Sequence, residues 1–143
     1  MRLHLIKLCV GVDTVEELAG RVEARIEANR KSGRGRLCEH VTRMFPRRAA
    51  ELLEGGSLYW VMKGLIRARQ KILALEPVEG EDGVTRCAIR LEPAVAPIEP
   101  RPRRAFQGWR YLTAYEAPND LDRREVAGGG ARLRAELAEL GLS

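Results

Sequence analysis

The chain has 143 residues, of which 45% are hydrophobic and 31% are charged, and its 25 Lys and Arg residues exceed its 20 Asp and Glu residues. This composition excludes a disordered or fibrous chain and fits one folded domain, since domains commonly contain about 100 to 150 residues. No stretch approaches the roughly 18 consecutive apolar residues that a membrane-spanning helix needs, so we expect no membrane partner.

Arginine dominates the basic residues, because Lys7, Lys31, Lys63 and Lys71 are the only lysines. Guanidinium groups bind phosphate bidentately and stack on bases, so the excess favours RNA or a phosphorylated ligand as the partner. A GC-rich genome would also enrich arginine codons. The three cysteines are odd in number and far apart in the sequence, which predicts reduced thiols in a cytoplasmic protein.

The first elements in chain order are a strand and a helix. Residues 3–10 form a nearly continuous apolar run, which predicts a buried strand. Asp13 or Thr14 can cap the following helix, with Glu16 or Glu17, three residues further on, completing a capping box. Its apolar residues recur at helical spacing, namely Val15, Leu18, Ala19, Val22 and Ile26.

The next segment is predicted to be a loop followed by a short helix. Residues 29–36, NRKSGRGR, are basic and contain glycine, which is typical of a mobile loop that contacts phosphates. Pro46 suits the first turn of a helix and disfavours helical geometry in the residue before it. Gly55 and Gly56 should end this helix.

The sheet region is predicted to begin at residue 57. In the strand from residue 65 to 78, Arg67, Arg69 and Lys71 alternate with a set that should face the opposite way, namely Ile66, Ala68, Gln70, Ile72 and Ala74. The alternation predicts a basic face. A helix over residues 66–76 is a competing prediction, because Ala, Leu, Gln and Arg have good helix propensity. The turn at residues 79–83 then predicts a hairpin.

The last part of the chain is rich in proline and then in polar residues. Residues 93–104 contain four of the seven prolines and should be extended with polyproline character. We expect one α+β domain over residues 1–117, in which a mostly antiparallel curved sheet or partial β-barrel is flanked by two or three helices. Residues 118–143 should form a polar linker and a short C-terminal helix.

The sequence shows no motif for metal, nucleotide or cofactor chemistry. Cys38 and His40 are the only close pair of potential metal ligands and lack a second pair, so we expect no metal site. Neither a GxxxxGK[ST] loop nor a GxGxxG turn after a strand is present, and we predict no cofactor. Catalytic residues, enzymatic activity and oligomeric state are left open.

Three basic clusters interleave with aromatic residues. Cations that contact phosphates and rings that stack on bases are the combination that single-stranded or structured RNA requires. The predicted nucleic-acid-binding residues are Arg43, Arg47, Arg67, Arg69, Lys71, Arg103, Arg104, Trp109 and Tyr59. The competing interpretation is that the aromatic residues are buried and the arginines pair with acids.

Two other functions are compatible with the sequence. A small enzyme or binding protein for a phosphorylated or acidic small molecule would use His40 together with Arg43 or Arg104 in a concave site. A protein-interaction module would use the proline-rich segment at residues 97–102 and the C-terminal helix.

The segments HLIKLCVG, HVTRMFPRRAAELL, GGSLYWVMKGLIRARQKIL and EPRPRRAFQGWRYL occur in this order over residues 3–115. In this order they resemble an uncharacterised bacterial family known only as a domain of unknown function, and this resemblance implies no activity. A helix that ends in glycines, then a strand and a basic meander, is also similar to PUA-like and ASCH-type small barrels, a resemblance that implies binding of RNA or modified nucleotides. Gly55-Gly56-Ser57 stands where those barrels often have a Gly-Asp turn.

Overall fold

A mixed seven-stranded sheet that carries two helices forms the centre of the described fold. The computed structural model describes residues 2–121. The elements in chain order are β1 (Leu3–Leu8), α1 (Val15–Lys31), β2 (Glu39–Thr42), α2 (Ala49–Leu52), β3 (Ser57–Met62), β4 (Leu65–Glu79), β5 (Thr85–Leu91), β6 (Ala96–Pro102) and β7 (Trp109–Thr113).

The strand order is β2-β5-β4-β3-β1-β7, and β6 pairs with β4 beside this path. β1 and β3 are parallel, while the other pairs are antiparallel. Parallel strands need a crossover connection, and the segment that contains α1 and α2 supplies it. The fold is therefore α+β with a mostly antiparallel curved sheet, as the sequence predicts.

β4 is the longest strand and joins the two parts of the sheet. Its residues 65–71 pair with β3, and its residues 72–79 pair with β5. The pairing of β4 with β5 ends at Ile72, and β6 then pairs with the earlier part of β4, beginning with Ala96 opposite Arg69. The predicted hairpin is confirmed, because Gly80 N donates to the Val84 carbonyl at 3.0 Å across the turn. The competing helix over residues 66–76 is wrong.

The predicted alternation of β4 is broken at Arg67. The pairing register shifts between Ile66 and Ala68, and these two side chains lie in different apolar clusters. In a regular strand, residues two apart face the same side of the sheet, so one residue is inserted here as a bulge. The expectation that the even-numbered residues share one face is therefore wrong at Ile66, and the predicted basic face is not continuous.

Apolar clusters cover both faces of the sheet. On the first face, Leu58 and Trp60 pack with α1 residues that include Leu18 and Val22. The cluster on the second face consists of Ile6, Tyr59, Val61, Ile66, Ile98 and Leu112. β3 contributes alternately to both clusters, so its six residues are all buried. Burial on both faces accounts for its nearly unbroken apolar sequence.

α1 covers the first face, as its apolar spacing predicts. Thr14 is the N-cap, since its hydroxyl oxygen accepts a hydrogen bond from Glu17 N at 3.1 Å. The sequence allows either Asp13 or Thr14 as the N-cap, and this hydrogen bond shows that Thr14 is the cap. The helix continues to Lys31, beyond the predicted start of the loop at residue 29. α2 is only four residues long, and Gly56 N donates to the Leu52 carbonyl at 2.9 Å where it ends.

The proline-rich segment is extended, as predicted, but it is a strand of the sheet. One edge of β6 pairs with β4, and on the other edge Ile98 bridges to Asp120 while Glu99 N donates to the Asn119 carbonyl at 2.8 Å. Proline is tolerated there because the pairing at both edges of β6 is short and irregular. The predicted C-terminal helix lies outside the described residues, and the domain division at residue 117 stays a prediction.

The approach of two chain segments at Gly56 gives a test of the fold. A Cβ atom at this position would lie 2.3 Å from the Leu3 carbonyl oxygen and 2.4 Å from that of Leu52. Both atoms are backbone, so we expect Gly56→Ala to lower the free energy of unfolding by about 2 kcal/mol or more in urea denaturation.

Gly20→Ala is the matched control, because Gly20 lies within α1 and no heavy atom is within 4 Å of an added Cβ. Alanine there should raise the free energy of unfolding by about 0.5 to 1 kcal/mol. Equal effects of the two substitutions would contradict the close approach at Gly56.

Candidate functional site

The β4 cations of the predicted binding set are largely withdrawn from the surface. Arg67 is buried at the bulge. Arg69 forms a bidentate ion pair with Asp120, with both nitrogen–oxygen distances at 2.7 Å, and also donates to the Ser57 hydroxyl at 2.9 Å. This contact lowers the pKa of Asp120. Lys71 is the one member of this cluster that is exposed.

Tyr59 does not offer the stacking surface that the sequence suggested. Its side chain is 4% exposed, because β3 is covered on both faces, and its ring meets the His4 ring edge-on with a centroid distance of 5.1 Å. Trp60 is buried as well, whereas Phe106 and Trp109 are partly buried. The interpretation of the aromatic residues as core residues is therefore correct for Tyr59 and Trp60.

The two remaining clusters meet at the edge strand β7. The indole nitrogen of Trp109 donates to the Met44 carbonyl at 2.8 Å. The backbone nitrogen of Arg48 donates to the Tyr111 hydroxyl at 3.1 Å, and its guanidinium lies 5.6 Å from the centre of that ring. These contacts fix the segment after β2 against β7. Met44 is 68% exposed, and the neighbouring Phe45 is 41% exposed.

On the other face of β7, two guanidinium groups lie over the Phe106 ring. Arg103 is 5.3 Å and Arg110 is 5.5 Å from the ring centre. We call the region formed by residues 43–48 and 103–111 the β7 surface. It contains five of the nine predicted binding residues, which the sequence places in two separate clusters: Arg43, Arg47, Arg103, Arg104 and Trp109.

Most cations of the β7 surface have no acidic partner. Within residues 2–121, only Arg48 of this surface forms an ion pair, with Glu51. Elsewhere the interpretation of the arginines as partners of acids is correct, for example for Arg30 with Glu27 and for Arg86 with Asp82. An unpaired guanidinium keeps its donors available for a phosphate.

A second feature is a cavity of about 200 Å³ between α1 and the first face of the sheet. Its polar wall includes Lys7, Arg21, Arg25, His40 and Gln70, and Trp60 is part of its apolar wall. Arg21 donates to the Gly11 carbonyl at 3.0 Å, which holds its guanidinium near the mouth. The sequence predicted a concave site with His40 and an arginine, but expected Arg43 or Arg104. Neither of those two lines the cavity, because α1 packs over β1 and brings its own arginines.

His40 is held in the wall of the cavity in its neutral form. Its ring meets the Trp60 ring edge-on at a centroid distance of 5.1 Å, and its Nε2 is buried without a hydrogen-bond partner among the described residues. Burial, and next the positive charges of Lys7 and Arg25, lowers the pKa of His40 to about 4. At neutral pH the ring therefore carries no charge and provides one donor and one acceptor.

The cysteines near the cavity are not prepared for nucleophilic chemistry. Burial raises the pKa of the Cys9 thiol to about 11 and also raises that of Cys38. Both groups line the cavity and are protonated at neutral pH. The arrangement supports binding of a ligand and gives no sign of thiolate catalysis.

Two structural features are absent from the part of the chain that the structure describes. Between residues 2 and 121 no group of three or more His, Cys, Asp or Glu side chains is placed to hold a metal ion. In the same range, neither helix has the length and apolar character needed to cross a membrane.

A family model matches residues 5–143, and the description of that family is "Protein of unknown function (DUF1489)". The chain belongs to this family. The resemblance to an uncharacterised family is thereby confirmed, and the description assigns no activity. Comparison with curated proteins and with solved structures gives no match. The likeness to PUA-like and ASCH-type barrels is not confirmed.

The predicted site residues do not include the cations that line the cavity, Lys7, Arg21 and Arg25. Arg21 and Arg25 are four residues apart, so they lie on one side of α1, and this spacing was the available signal. Arg25 also lies between Glu23 and Glu27 in the sequence, a charge pattern typical of a solvated helix face. Lys7 gave no signal, because its place beside the helix depends on how α1 packs on β1.

The two histidines give a test of these environments. Burial lowers the pKa of His4 to about 4 as well, assisted by Arg69 and then Arg2. In the unfolded chain both groups should titrate near pH 6.5, so the unfolded state takes up protons first as the pH falls. We expect the free energy of unfolding to change little between pH 7 and 8 and to decrease as the pH falls from 6.5 to 4.

Because the chain contains only two histidines, NMR titration of the ring protons is unambiguous. Neither ring should have a midpoint near 6.5. Asn at position 4 keeps an acceptor for Ser57 N, which donates to His4 Nδ1 at 2.9 Å. His4→Asn and His40→Asn should each reduce the pH dependence of unfolding between pH 6.5 and 5, whatever their effect on stability at pH 7.5. An unchanged pH dependence in both would show that the rings are solvated.

Proposed function

We propose that the protein binds RNA through the β7 surface. The observation that carries the proposal is the assembly of unpaired arginines from two distant segments, 43–48 and 103–110, around one edge strand. The hydrogen bonds from Trp109 to the Met44 carbonyl and from Arg48 N to the Tyr111 hydroxyl fix the backbone of the first segment beside β7.

The chemistry of the β7 surface suits a single strand. Arg43, Arg47 and Arg104 are exposed and can form charge-assisted hydrogen bonds with phosphate oxygens. The exposed ring of Phe45 next to Met44 offers an apolar surface for an unstacked base. Phosphate contacts of this kind position the strand and carry little sequence information, so we expect weak base preference.

The binding site in this proposal differs from the one expected from sequence alone. Arg67, Arg69 and Tyr59 are left out, because they are buried or engaged with Asp120 and the core. Lys71 is left out because it lies on β4, away from the edge strand. The proposal also places the protein in the cytoplasm, which the three free thiols support.

The interaction-module alternative gains less support from the geometry. A proline-rich ligand for another protein needs a free polyproline segment. Here β6 is hydrogen-bonded to β4 on one edge and to residues 119–121 on the other. Its backbone is engaged within the sheet.

The triple variant Arg43→Gln, Arg47→Gln and Arg104→Gln tests the RNA site. Each lost phosphate contact should cost about 0.5 to 1 kcal/mol, which together is about tenfold or more in affinity. Fewer counterions are released, so the slope of log K against log salt should become less steep by about 2 for single-stranded RNA. Fluorescence anisotropy with labelled single-stranded and structured RNA across a salt series measures both quantities.

A charge-matched control removes three cations at the far side of the sheet: Arg30→Gln, Lys31→Gln and Arg86→Gln. Arg86 lies on β5, which β4, β3 and β1 separate from β7, and Arg30 already pairs with Glu27. The control should bind RNA with nearly the affinity and salt slope of the original chain. Equal losses in both triple variants would mean that only net charge matters and would overturn the site.

A further inference from the structure

The cavity between α1 and the sheet has an excess of positive charge that no described side chain neutralises. Lys7, Arg21 and Arg25 come from two elements and line the same space. Within residues 2–121, none of the three forms an ion pair. Like charges that face a partly enclosed space repel one another, so an anion placed among them gains energy from all three.

Among residues 2–121, Glu39 provides the one carboxylate in the cavity wall, and that carboxylate is already engaged. Glu39 pairs with Arg34 at 2.9 Å and lies 3.9 Å from Arg90. Its backbone carbonyl accepts a hydrogen bond from Arg25 at 3.5 Å, which directs the guanidinium along the wall. The three lining cations therefore retain donors for an added anion.

Neutral polar groups line the inner wall. Gln70 is buried, and its Oε1 accepts a hydrogen bond from the Trp60 indole nitrogen at 3.0 Å. His40 Nε2 is buried and has no hydrogen-bond partner in the described chain. A buried ring nitrogen without a partner costs free energy, so its presence in a cavity wall indicates a group that completes it.

The volume limits the size of the ligand. A volume of about 200 Å³ equals roughly seven water molecules at about 30 Å³ each. It is smaller than the usual range of about 300 to 1,000 Å³ for sites that enclose drug-sized ligands. The volume suits a short-chain phosphate monoester or dicarboxylate better than a nucleotide.

We propose that this cavity binds a small organic anion whose phosphate or carboxylate group contacts Lys7, Arg21 and Arg25. The body of the ligand lies against Trp60 and the α1 side chains Leu18 and Val22. His40 supplies a neutral hydrogen-bonding nitrogen behind it, and Gln70 fixes the position of Trp60. The proposal does not depend on RNA binding, since it rests on a different set of residues.

NMR titration of the full chain with inorganic phosphate, glycerol 3-phosphate and succinate tests the proposal, with glycerol as the uncharged reference. At least one anion should shift the His40 ring and Trp60 indole resonances saturably, with a Kd of about 1 mM or tighter. Binding should also raise the pKa of His40, because the anion offsets the charges of Lys7 and Arg25. Comparison of the Kd values for glycerol 3-phosphate and succinate shows whether the cavity prefers a phosphate or a carboxylate group.

The variant Lys7→Met with Arg25→Met removes two of the charges and keeps most of the side-chain volume. We expect its affinity to fall at least about tenfold, while Arg25→Lys, which keeps the charge, should lose less. Arg30→Gln with Lys31→Gln is the charge-matched control outside the cavity and should bind as the original chain does. RNA binding should change little in all of these variants.

Two results would overturn the proposal. The first is the absence of saturable shifts at His40 and Trp60 with all three anions. The second is an equal loss of affinity in the cavity variant and in the control, which would indicate nonspecific attraction to net positive charge. Retained dispersion of the amide resonances shows that each variant is folded, so a loss of binding is not mistaken for unfolding.

Discussion

The side-chain amide of Gln70 holds together the segments that form the inner wall of the cavity. It accepts from the indole of Trp60 at 3.0 Å, donates to the Glu92 carbonyl at 3.0 Å and lies 3.6 Å from the sulfur of Cys38. Gln70 is almost fully buried, so water cannot replace a lost partner. Removing either Gln70 or Trp60 would leave a buried polar group of the other residue without its hydrogen bond, which costs free energy. β3, β4, the connection after β5 and the segment before β2 are thereby fixed relative to one another. The position of the Trp60 ring, and through it that of His40, follows from this contact.

The basic residues of this protein fall into two structural groups. Arg30, Arg34, Arg69 and Arg86 pair with acids and serve the fold or the surface. Within residues 2–121, the cations of the β7 surface other than Arg48 and the cavity cations Lys7, Arg21 and Arg25 form no ion pair. A bias in codon usage raises the number of arginines along the whole chain, but it does not select which of them meet at one edge strand or line one cavity. The arrangement therefore carries more information about partners than the composition does.

The elements that sequence predicted well are those set by local signals. α1 follows from its cap at Thr14 and its apolar spacing, and the β4–β5 hairpin follows from the turn at residues 79–83. The bulge at Arg67 was not predictable, because it depends on how β4 aligns with two neighbouring strands at once. The ion pair of Arg69 was not predictable either, because its partner Asp120 is 51 residues away in the sequence. Arg69 was therefore expected to be free for a phosphate. The meeting of two basic clusters at β7 was not predicted, because it depends on contacts of Trp109 and Tyr111 with a segment more than 60 residues away. The cavity cations likewise required the packing of α1 on β1.

The ion pair of Arg69 with Asp120 has a consequence for shortened forms of the chain. Residues 119–121 hydrogen-bond to the outer edge of β6, and Asp120 satisfies a guanidinium that also reaches Ser57. A truncation at residue 117 would expose that strand edge and leave Arg69 without its carboxylate. An open strand edge can pair with a second molecule, so such a fragment is prone to self-association. Residues 119–121 are therefore part of the packed structure around β6.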